Sequence, residues 1–360
     1  MIKILALYLP QFHEFKENNE WWGKGFTEWV NTKKAKPLYI THYQPKEPLN
    51  DNYYDLLDDD VRIWQDKLAN KYGIDGFVYY HYWFNGKKLM EKPIEKLLKN
   101  KSIKTNFCIS WANEPWTRSW DGKSKEIIMP QHYGDKKDWD NHFYYLLDFF
   151  KDERYIKENN KPLLFIYRID SIKEHEALFN RWDILAKDNG FDGISIVETL
   201  TSFQNKPVSS FSEHIFYFEP MYTQSKEYNK VSRIINSICK IPRSILVGGR
   251  YLKTNNYDMI WKKIINRKDL DESKKVIYGA FPGWDNTARR GNKAKIIEGS
   301  TPRKFGMYMK KLIKKAQKNN IDYIIINAWN EWAEGAYLEP DKKNEYSYLE
   351  QLKESRNDFE

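Results

Sequence analysis

Eight short apolar, β-branched or aromatic runs recur along the chain: Ile4–Tyr8, Gly76–His81, Asn106–Trp111, Leu163–Tyr167, Ile194–Glu198, His214–Phe218, Val276–Phe281 and Tyr323–Ala328. Each is continuous rather than alternating, the pattern of a strand buried on both faces. Between them lie stretches with helical periodicity: Asp58–Tyr72, Pro93–Asn100, Asp138–Phe150, Ile172–Asn189, Glu227–Cys239, Tyr257–Asn266 and Pro302–Asn319. Several end in the Gly or Asn that a helix C-terminus favours, as at Tyr72-Gly73, Asn189-Gly190 and Asn319-Asn320. Strands alternating with helices imply a parallel sheet, and eight of them imply a closed (β/α)8 barrel of TIM type. An open doubly wound sheet is the competing arrangement.

The 360 residues fit one large domain. No internal repeat or low-complexity linker divides them. The barrel is expected over residues 1–341, and residues 342–360 form a charged C-terminal tail, a candidate peripheral helix. After the first run, the segment Phe12–Asn52 is a long loop full of Trp, Gly and Pro. Loops of that length in compact domains are usually functional.

Hydrophobic residues make up 41% of the chain, enough for a full core, which excludes disorder as the main state. The net charge of +9 would suit a nucleic acid, an anionic glycan or a membrane face. There is no long basic tract, however. The densest cluster, Lys310-Lys311-Leu312-Ile313-Lys314-Lys315, has helical spacing and reads as a solvated helix face, so no nucleic-acid partner is expected. Cys108 and Cys239 are far apart and make neither a metal pattern nor a disulfide framework, although a single bridge stays open. Such usage suits a reducing compartment. No apolar run approaches the roughly 18 residues of a membrane span. The segment Met1–Pro10 loosely imitates a signal peptide, but it is short, Pro10 stops it, and no small-residue cleavage site comes after it. It reads as a first strand, and the expected location is cytoplasmic.

In a barrel of this type the active site forms at the C-terminal ends of the strands, so the residues just past each run are the informative ones. The first run leads to Tyr8, Gln11 and His13, then to Trp21-Trp22-Gly23-Lys24-Gly25-Phe26-Thr27-Glu28-Trp29. The second carries Tyr79-Tyr80-His81-Tyr82-Trp83-Phe84. The third leads to Trp111-Ala112-Asn113-Glu114-Pro115-Trp116, then Arg118 and Trp120-Asp121-Gly122. Tyr167 and Arg168 come after the fourth, Glu198 ends the fifth, and Glu219 stands past the sixth. The seventh leads to Trp284-Asp285-Asn286 and Arg289, and the eighth to Trp329-Asn330-Glu331-Trp332-Ala333-Glu334-Gly335. The chain holds 14 Trp, 25 Tyr and 19 Phe, more tryptophan than a core of this size needs. Carboxylates beside tryptophans suit sugar binding, because indole faces stack on the apolar face of a ring while carboxylates and amides take its hydroxyls. Candidate substrate contacts are therefore Tyr8, His13, Trp22, Tyr80, His81, Trp83, Trp111, Asn113, Glu114, Trp116, Tyr167, Glu219, Trp284, Asp285, Arg289, Trp329, Asn330 and Trp332. The partner they imply is an oligosaccharide or polysaccharide. Arg289 and Lys24 are also candidates to hold an anionic sugar substituent, though an ordinary surface salt bridge is the simpler expectation for each.

Glu331 and Glu334 stand three residues apart just past a buried run, a spacing that places both on one face of a helix-like turn. Glycoside hydrolysis needs two carboxyl groups around one bond, which makes them the candidate catalytic pair. The plainer alternative is that one glutamate caps backbone donors and the other is solvated. Glu114, Glu198, Glu219 and Asp285 compete, and Asn113-Glu114 resembles the strand-end Asn-Glu pair of many barrel glycosidases. Other chemistries lack their motifs. There is no His-Glu-x-x-His, no Gly-x-Ser-x-Gly elbow, no P-loop and no dinucleotide glycine fingerprint. His13, His81 and His214 read as hydrogen-bonding residues rather than ligands. No metal and no organic cofactor is expected.

Five segments carry a more specific likeness: Leu7–His13, Trp21–Trp29, Gly76–Phe84, Trp111–Trp116 and Asn327–Gly335. Together they resemble the WbsX family of glycoside hydrolase family 99-like proteins, often encoded among O-antigen and capsule genes. The resemblance runs from the first run to the eighth. The related endo-α-mannosidases have a (β/α)8 barrel and an equivalent motif with two glutamates three apart. There the first is a base on the sugar 2-hydroxyl and the second is the acid/base at the glycosidic oxygen. This implies Glu331 as the base and Glu334 as the acid. Trp332-Ala333 stands where those enzymes tend to have Trp-His, so substrate identity does not carry over. The implied activity is a retaining glycosidase on a bacterial surface glycan, acting at α-manno or α-rhamno linkages through a 1,2-anhydro sugar. A glycosyltransferase or transglycosylase, or a non-catalytic glycan-binding barrel, is the alternative. In the implied mechanism Glu331 stays ionised, while burial against Trp332 and a like-charged neighbour keep Glu334 protonated.

Overall fold

The structure, a computed structural model, describes residues 2–118, 123–226, 253–269 and 273–357. Its centre is a ring of eight parallel strands: β1 (Lys3–Tyr8), β2 (Gly76–Phe84), β3 (Asn106–Trp111), β4 (Lys161–Ile166), β5 (Ser195–Leu200), β6 (His214–Tyr217), β7 (Lys275–Ala280) and β8 (Tyr323–Ile326). The order around the ring is β1-β8-β7-β6-β5-β4-β3-β2, and β1 closes it by pairing β2 (Leu5 opposite Gly76) as well as β8 (Lys3 opposite Tyr323). This is a (β/α)8 barrel, and the eight apolar runs each fall on one of its strands. Gly76 leaves room for both neighbours of β2, because a Cβ there would stand 2.8 Å from the Asn106 carbonyl oxygen on β3 and 3.0 Å from the Leu5 side chain on β1.

Helices wrap the ring. In chain order they are α1 (Lys16–Trp22), α2 (Glu28–Lys34), α3 (Asp59–Lys71), α4 (Lys92–Lys99), α5 (Lys136–Phe150), α6 (His175–Asp188), α7 (Met221–Lys226), α8 (Tyr257–Asn266), α9 (Thr287–Arg290), α10 (Pro302–Lys318) and α11 (Ser347–Asn357). The long loop after β1 is thus not structureless, since it holds α1, α2 and a 3-10 turn at Leu49–Asp51. The expected helix Glu227–Cys239 and the residues Trp120 and Asp121 lie outside the described residues.

Helix α10 shows how sequence sets position. Thr301 caps it by accepting from the Lys304 amide, and Pro302 occupies the first turn, where its missing N–H is harmless. Phe305, Tyr308, Met309, Leu312 and Ile313 form its buried face, while Lys310, Lys311 and Lys314 face solvent. Lys315 instead donates to the Ile264 and Arg267 carbonyls at the end of α8. Between these helices and β7, Trp261 is stacked between Phe281 (5.4 Å) and Tyr308 (5.3 Å). Helix α11 packs on α10, and its Arg356 reaches Asp75 at 2.7 Å, just before β2. Cys108 is a free thiol buried in β3. Among the described residues, no helix is long and apolar enough to cross a membrane, and no group of three or more His, Cys, Asp or Glu could hold a metal ion.

Candidate active site

Past β8 the chain makes a small antiparallel pairing, Asn330–Glu331 with Ala336–Tyr337, closed by a 3-10 turn at Trp332–Glu334. Gly335 ends the turn at φ 59, and a Cβ there would stand 3.0 Å from the Asp285 backbone. Only glycine meets both the left-handed backbone and the close approach. Glu331 and Glu334 converge from this turn on one guanidinium. Arg289, on α9, donates from Nη2 to Glu331 Oε2 at 3.0 Å and from Nη1 to Glu334 Oε1 at 2.6 Å. It also donates to a third carboxylate. Glu28 Oε1, at the start of α2, accepts from Nη2 at 2.7 Å and from Nε at 3.1 Å.

Three carboxylates around one guanidinium would total two net negative charges if all were ionised. Burial makes that costly, so the cluster favours retaining a proton. Glu331 is buried, and burial pushes its carboxyl up to about 8, with Arg289 pulling it down and Glu334 and Glu28 adding to the rise. Glu28 is fully buried and is also raised by burial, against the pull of Arg289. Glu334 is the more open member, with 19% of its side chain exposed. This differs from the expected order, in which Glu334 was to be the buried acid covered by Trp332. Trp332 turns the other way: it stacks on Tyr337 at 3.9 Å and its indole N–H donates to Glu339.

Tyr80 and Tyr82 on β2 and Tyr167 past β4 lie within the electrostatic reach of the pair, their hydroxyls raised by burial and by the Glu331 charge among others. Trp116 packs edge-on against Tyr82 at 5.2 Å and near Trp21 at 5.6 Å. Glu114 acts on Tyr82 and Tyr167 and accepts from Arg168 at 3.0 Å. Trp22 is half-buried, with the Arg118 guanidinium 5.6 Å from its ring. Of the expected contacts, the structure therefore gathers Tyr80, Glu114, Trp116, Tyr167 and Arg289 about Glu331 and Glu334. Arg289 is no surface salt bridge and is tied to carboxylates rather than offered to an anionic substituent.

The remaining expected contacts sit elsewhere, each for a local reason. His81 and Trp83 alternate with Tyr80 and Tyr82 along β2 and so point outward, toward α5. His81 Nε2 meets His142 Nε2 at 2.9 Å, and the Trp83 indole donates to Asp138 at 3.1 Å. Trp111 is buried beside His142 and Trp182. The Tyr8 hydroxyl donates to Gln65 on α3 at 2.6 Å. His13 is buried, bonded to the Pro10 carbonyl at 2.9 Å, and burial lowers it to about 4. Glu219 is fully buried and paired with Arg267 at 2.7 Å. Asp285 is taken up by His42 (2.7 Å), Gln44 (2.6 Å) and Thr287, which pins the long loop to the segment past β7. Trp284, Trp329 and Trp332 are buried in the packing. Asn113 and Asn330 do the same task on different loops. Asn113 exchanges bonds with the Arg168 backbone at 2.8 Å in both directions. Asn330 accepts from the Leu9 amide at 2.8 Å and donates to its carbonyl at 3.0 Å. Each amide thus continues the ladder between neighbouring strands beyond their ends. The residues missed as site components are Glu28, Tyr82 and Glu339. Glu28 and Tyr82 lay inside segments already singled out, Glu339 lay outside them, and none of the three carried a signal of its own.

The family model described as Glycosyltransferase WbsX matches residues 4–352. The chain belongs to the WbsX family. Its curated relatives include two proteins described as uncharacterized protein WxcX, from two strains of Xanthomonas campestris pv. campestris. They are 32% and 31% identical over 98% of this chain. The chain spans 49% of their length, so about half of each relative has no counterpart in it. Among solved structures, the family 99 endo-alpha-mannosidase from Bacteroides thetaiotaomicron matches with a TM-score of 0.57 at 14% identity, over 100% of this chain and 98% of that one. A glycoside hydrolase-like protein matches at 0.59 and 14%, over 98% and 93%. These likenesses establish a shared fold.

Proposed function

We propose that the chain is a glycoside hydrolase in which Glu331 and Glu334 work together on one glycosidic bond of a bacterial surface glycan. The observation that carries this reading is that both carboxylates stand on one turn past β8 and share the Arg289 guanidinium at the tyrosine-lined end of the barrel. In the proposed sequence Glu331 takes the proton of the sugar 2-hydroxyl, and that oxygen attacks the adjacent anomeric carbon. Glu334 protonates the leaving oxygen as the glycosidic bond breaks. Water, deprotonated by Glu334, then opens the 1,2-anhydro sugar, and the 2-oxygen recovers its proton from Glu331. Two inversions retain the configuration. Attack from the rear requires a 2-hydroxyl trans to the leaving group, as in α-manno and α-rhamno sugars. The endo-alpha-mannosidase of the same fold is in keeping with that class. A sugar acceptor in place of water gives transfer by the same first step, which suits the family's glycosyltransferase description.

One observation favours a second order of roles. Glu331 is the more buried member, and burial raises its carboxyl, which suits an acid rather than a base. The test of the reading is incubation with the polysaccharide made by the host's own surface-glycan locus, with mass and anomeric NMR analysis of the products. Cleavage with retained configuration, lost in both glutamine variants of the pair, supports it. Cleavage that persists in both variants overturns it.

A further inference from the structure

We propose that Glu28, remote in sequence from the pair, is a positioning residue that acts through Arg289, fixing the guanidinium between Glu331 and Glu334 and offsetting its charge. The inference rests on the reading of those two glutamates as the reacting pair. Its basis is geometric. A single oxygen of Glu28 accepts from both Nε and Nη2 of Arg289, which gathers one edge of the fork and aims Nη1 at Glu334. Nη2 is shared between Glu28 and Glu331. Glu28 is itself immobilised. Its amide donates to the Gln11 carbonyl at 3.1 Å, its carbonyl accepts from the Thr32 hydroxyl at 3.1 Å, and its side chain is fully buried. Oε2 has no hydrogen-bond partner among the described residues. A buried carboxylate with one oxygen committed to a guanidinium and the other to nothing is a costly arrangement for a purely structural purpose.

Charge gives it a purpose. An acid/base pair works only while it holds one proton between its two members. Arg289 alone, in contact with both, would favour two ionised carboxylates and leave no proton for the leaving group. Glu28 neutralises that cation at close range without touching either member. The other groups facing the pair are the neutral hydroxyls of Tyr80 and Tyr82 from β2 and Tyr167 past β4, together with Glu114 past β3, which is paired with Arg168. Among the described residues, the charges bonded to the pair are therefore Arg289 directly and Glu28 through it.

The experiment is an NMR titration, from pH 4 to 10, of the intact protein labelled with 13C at glutamate side-chain carboxyls. Glu331→Gln and Glu334→Gln assign the two signals. In Glu28→Gln the midpoint of the Glu331 signal is expected to fall by about one unit, a tenfold change in proton affinity. Glu28→Asp keeps the charge but withdraws it, and the fall should be about half as large. An unchanged midpoint in either folded variant overturns the proposal. On a cleavable glycan, the alkaline limb of the rate profile should move to lower pH in Glu28→Gln, an effect that lost packing alone would not produce. If the pair's own glutamine variants keep full activity, the functional reading fails instead, and the titration still reports whether Glu28 governs the pair.

Discussion

The indole nitrogen of Trp332 donates to Glu339 Oε2 at 2.7 Å, and this bond fastens the residue between the two candidate carboxylates on the side away from them. Glu339 also accepts from Tyr54 at 2.8 Å and from Gln65 at 2.7 Å, and Gln65 in turn accepts from Tyr8. A single buried carboxylate thus gathers β1, α3, the segment before α3 and the turn that carries Glu331 and Glu334. Glu339→Ala strands the Trp332 and Gln65 donors and should destabilise the protein by about 2–5 kcal/mol. The rate should fall with it, as the turn loses its anchor. Calorimetry and a rate assay check this together, and an unchanged melting temperature would contradict it.

Glu331→Gln and Glu334→Gln should each lower the rate by roughly 10²–10⁴, the usual scale of a general acid or base. An activated aryl glycoside separates the roles, because a good leaving group needs little protonation. The variant that it rescues in the first step has lost the acid. The proposed order expects rescue of Glu334→Gln and not of Glu331→Gln. The reverse pattern would assign the acid to Glu331. A 2-deoxy substrate, lacking the internal nucleophile, should resist the wild-type protein.

Stability should fall as pH rises through neutrality. Burial raises Glu331 from 4.5 to about 8 and Glu339 from 4.5 to about 7. The folded protein therefore holds protons that the unfolded chain has already released. The contribution of each is full below about pH 4.5 and is lost as pH climbs through its folded value. Glu331→Gln removes the Glu331 share of this slope and should be more stable than wild type at pH 8 by about 2–3 kcal/mol. Urea unfolding at pH 5 and pH 8 measures the difference. A wild-type protein equally stable at both would refute the argument.

His81 should behave as a packing residue. His81→Phe keeps the ring but removes the bond to His142, at an expected cost of about 1–2 kcal/mol. Melting temperature should drop while KM stays within about twofold, because the side chain lies on the helix side of β2. A large change in KM with unchanged stability would place it in the site after all.

The barrel was legible in the sequence because strands covered on both faces leave unbroken apolar runs. The same continuity hid the orientation within them. In Tyr79-Tyr80-His81-Tyr82-Trp83 every residue is aromatic, so nothing marks Tyr80 and Tyr82 as inward and His81 and Trp83 as outward. That is decided by partners on α5, Asp138 and His142, which lie 55 and 61 positions on from Trp83 and His81. The spacing of Glu331 and Glu334 was visible because it is local. Glu28 carried no such mark, since its partner Arg289 is 261 positions away. The asparagines were noticed but not their backbone partners, because an amide that extends a backbone ladder and one that waits for a sugar look alike in sequence.

That separation of 261 positions between Glu28 and Arg289 also sets when the chemistry can begin. During synthesis, Glu28 leaves the ribosome long before its cation, and Glu331 and Glu334 emerge later still. Until the ring closes, Glu28 and Glu331 are solvated acids with the ordinary acidity of free glutamate. On the proposed function, a chain that has not yet folded has no working pair. The pair meets its guanidinium only when the turn past β8 has packed onto the closed ring.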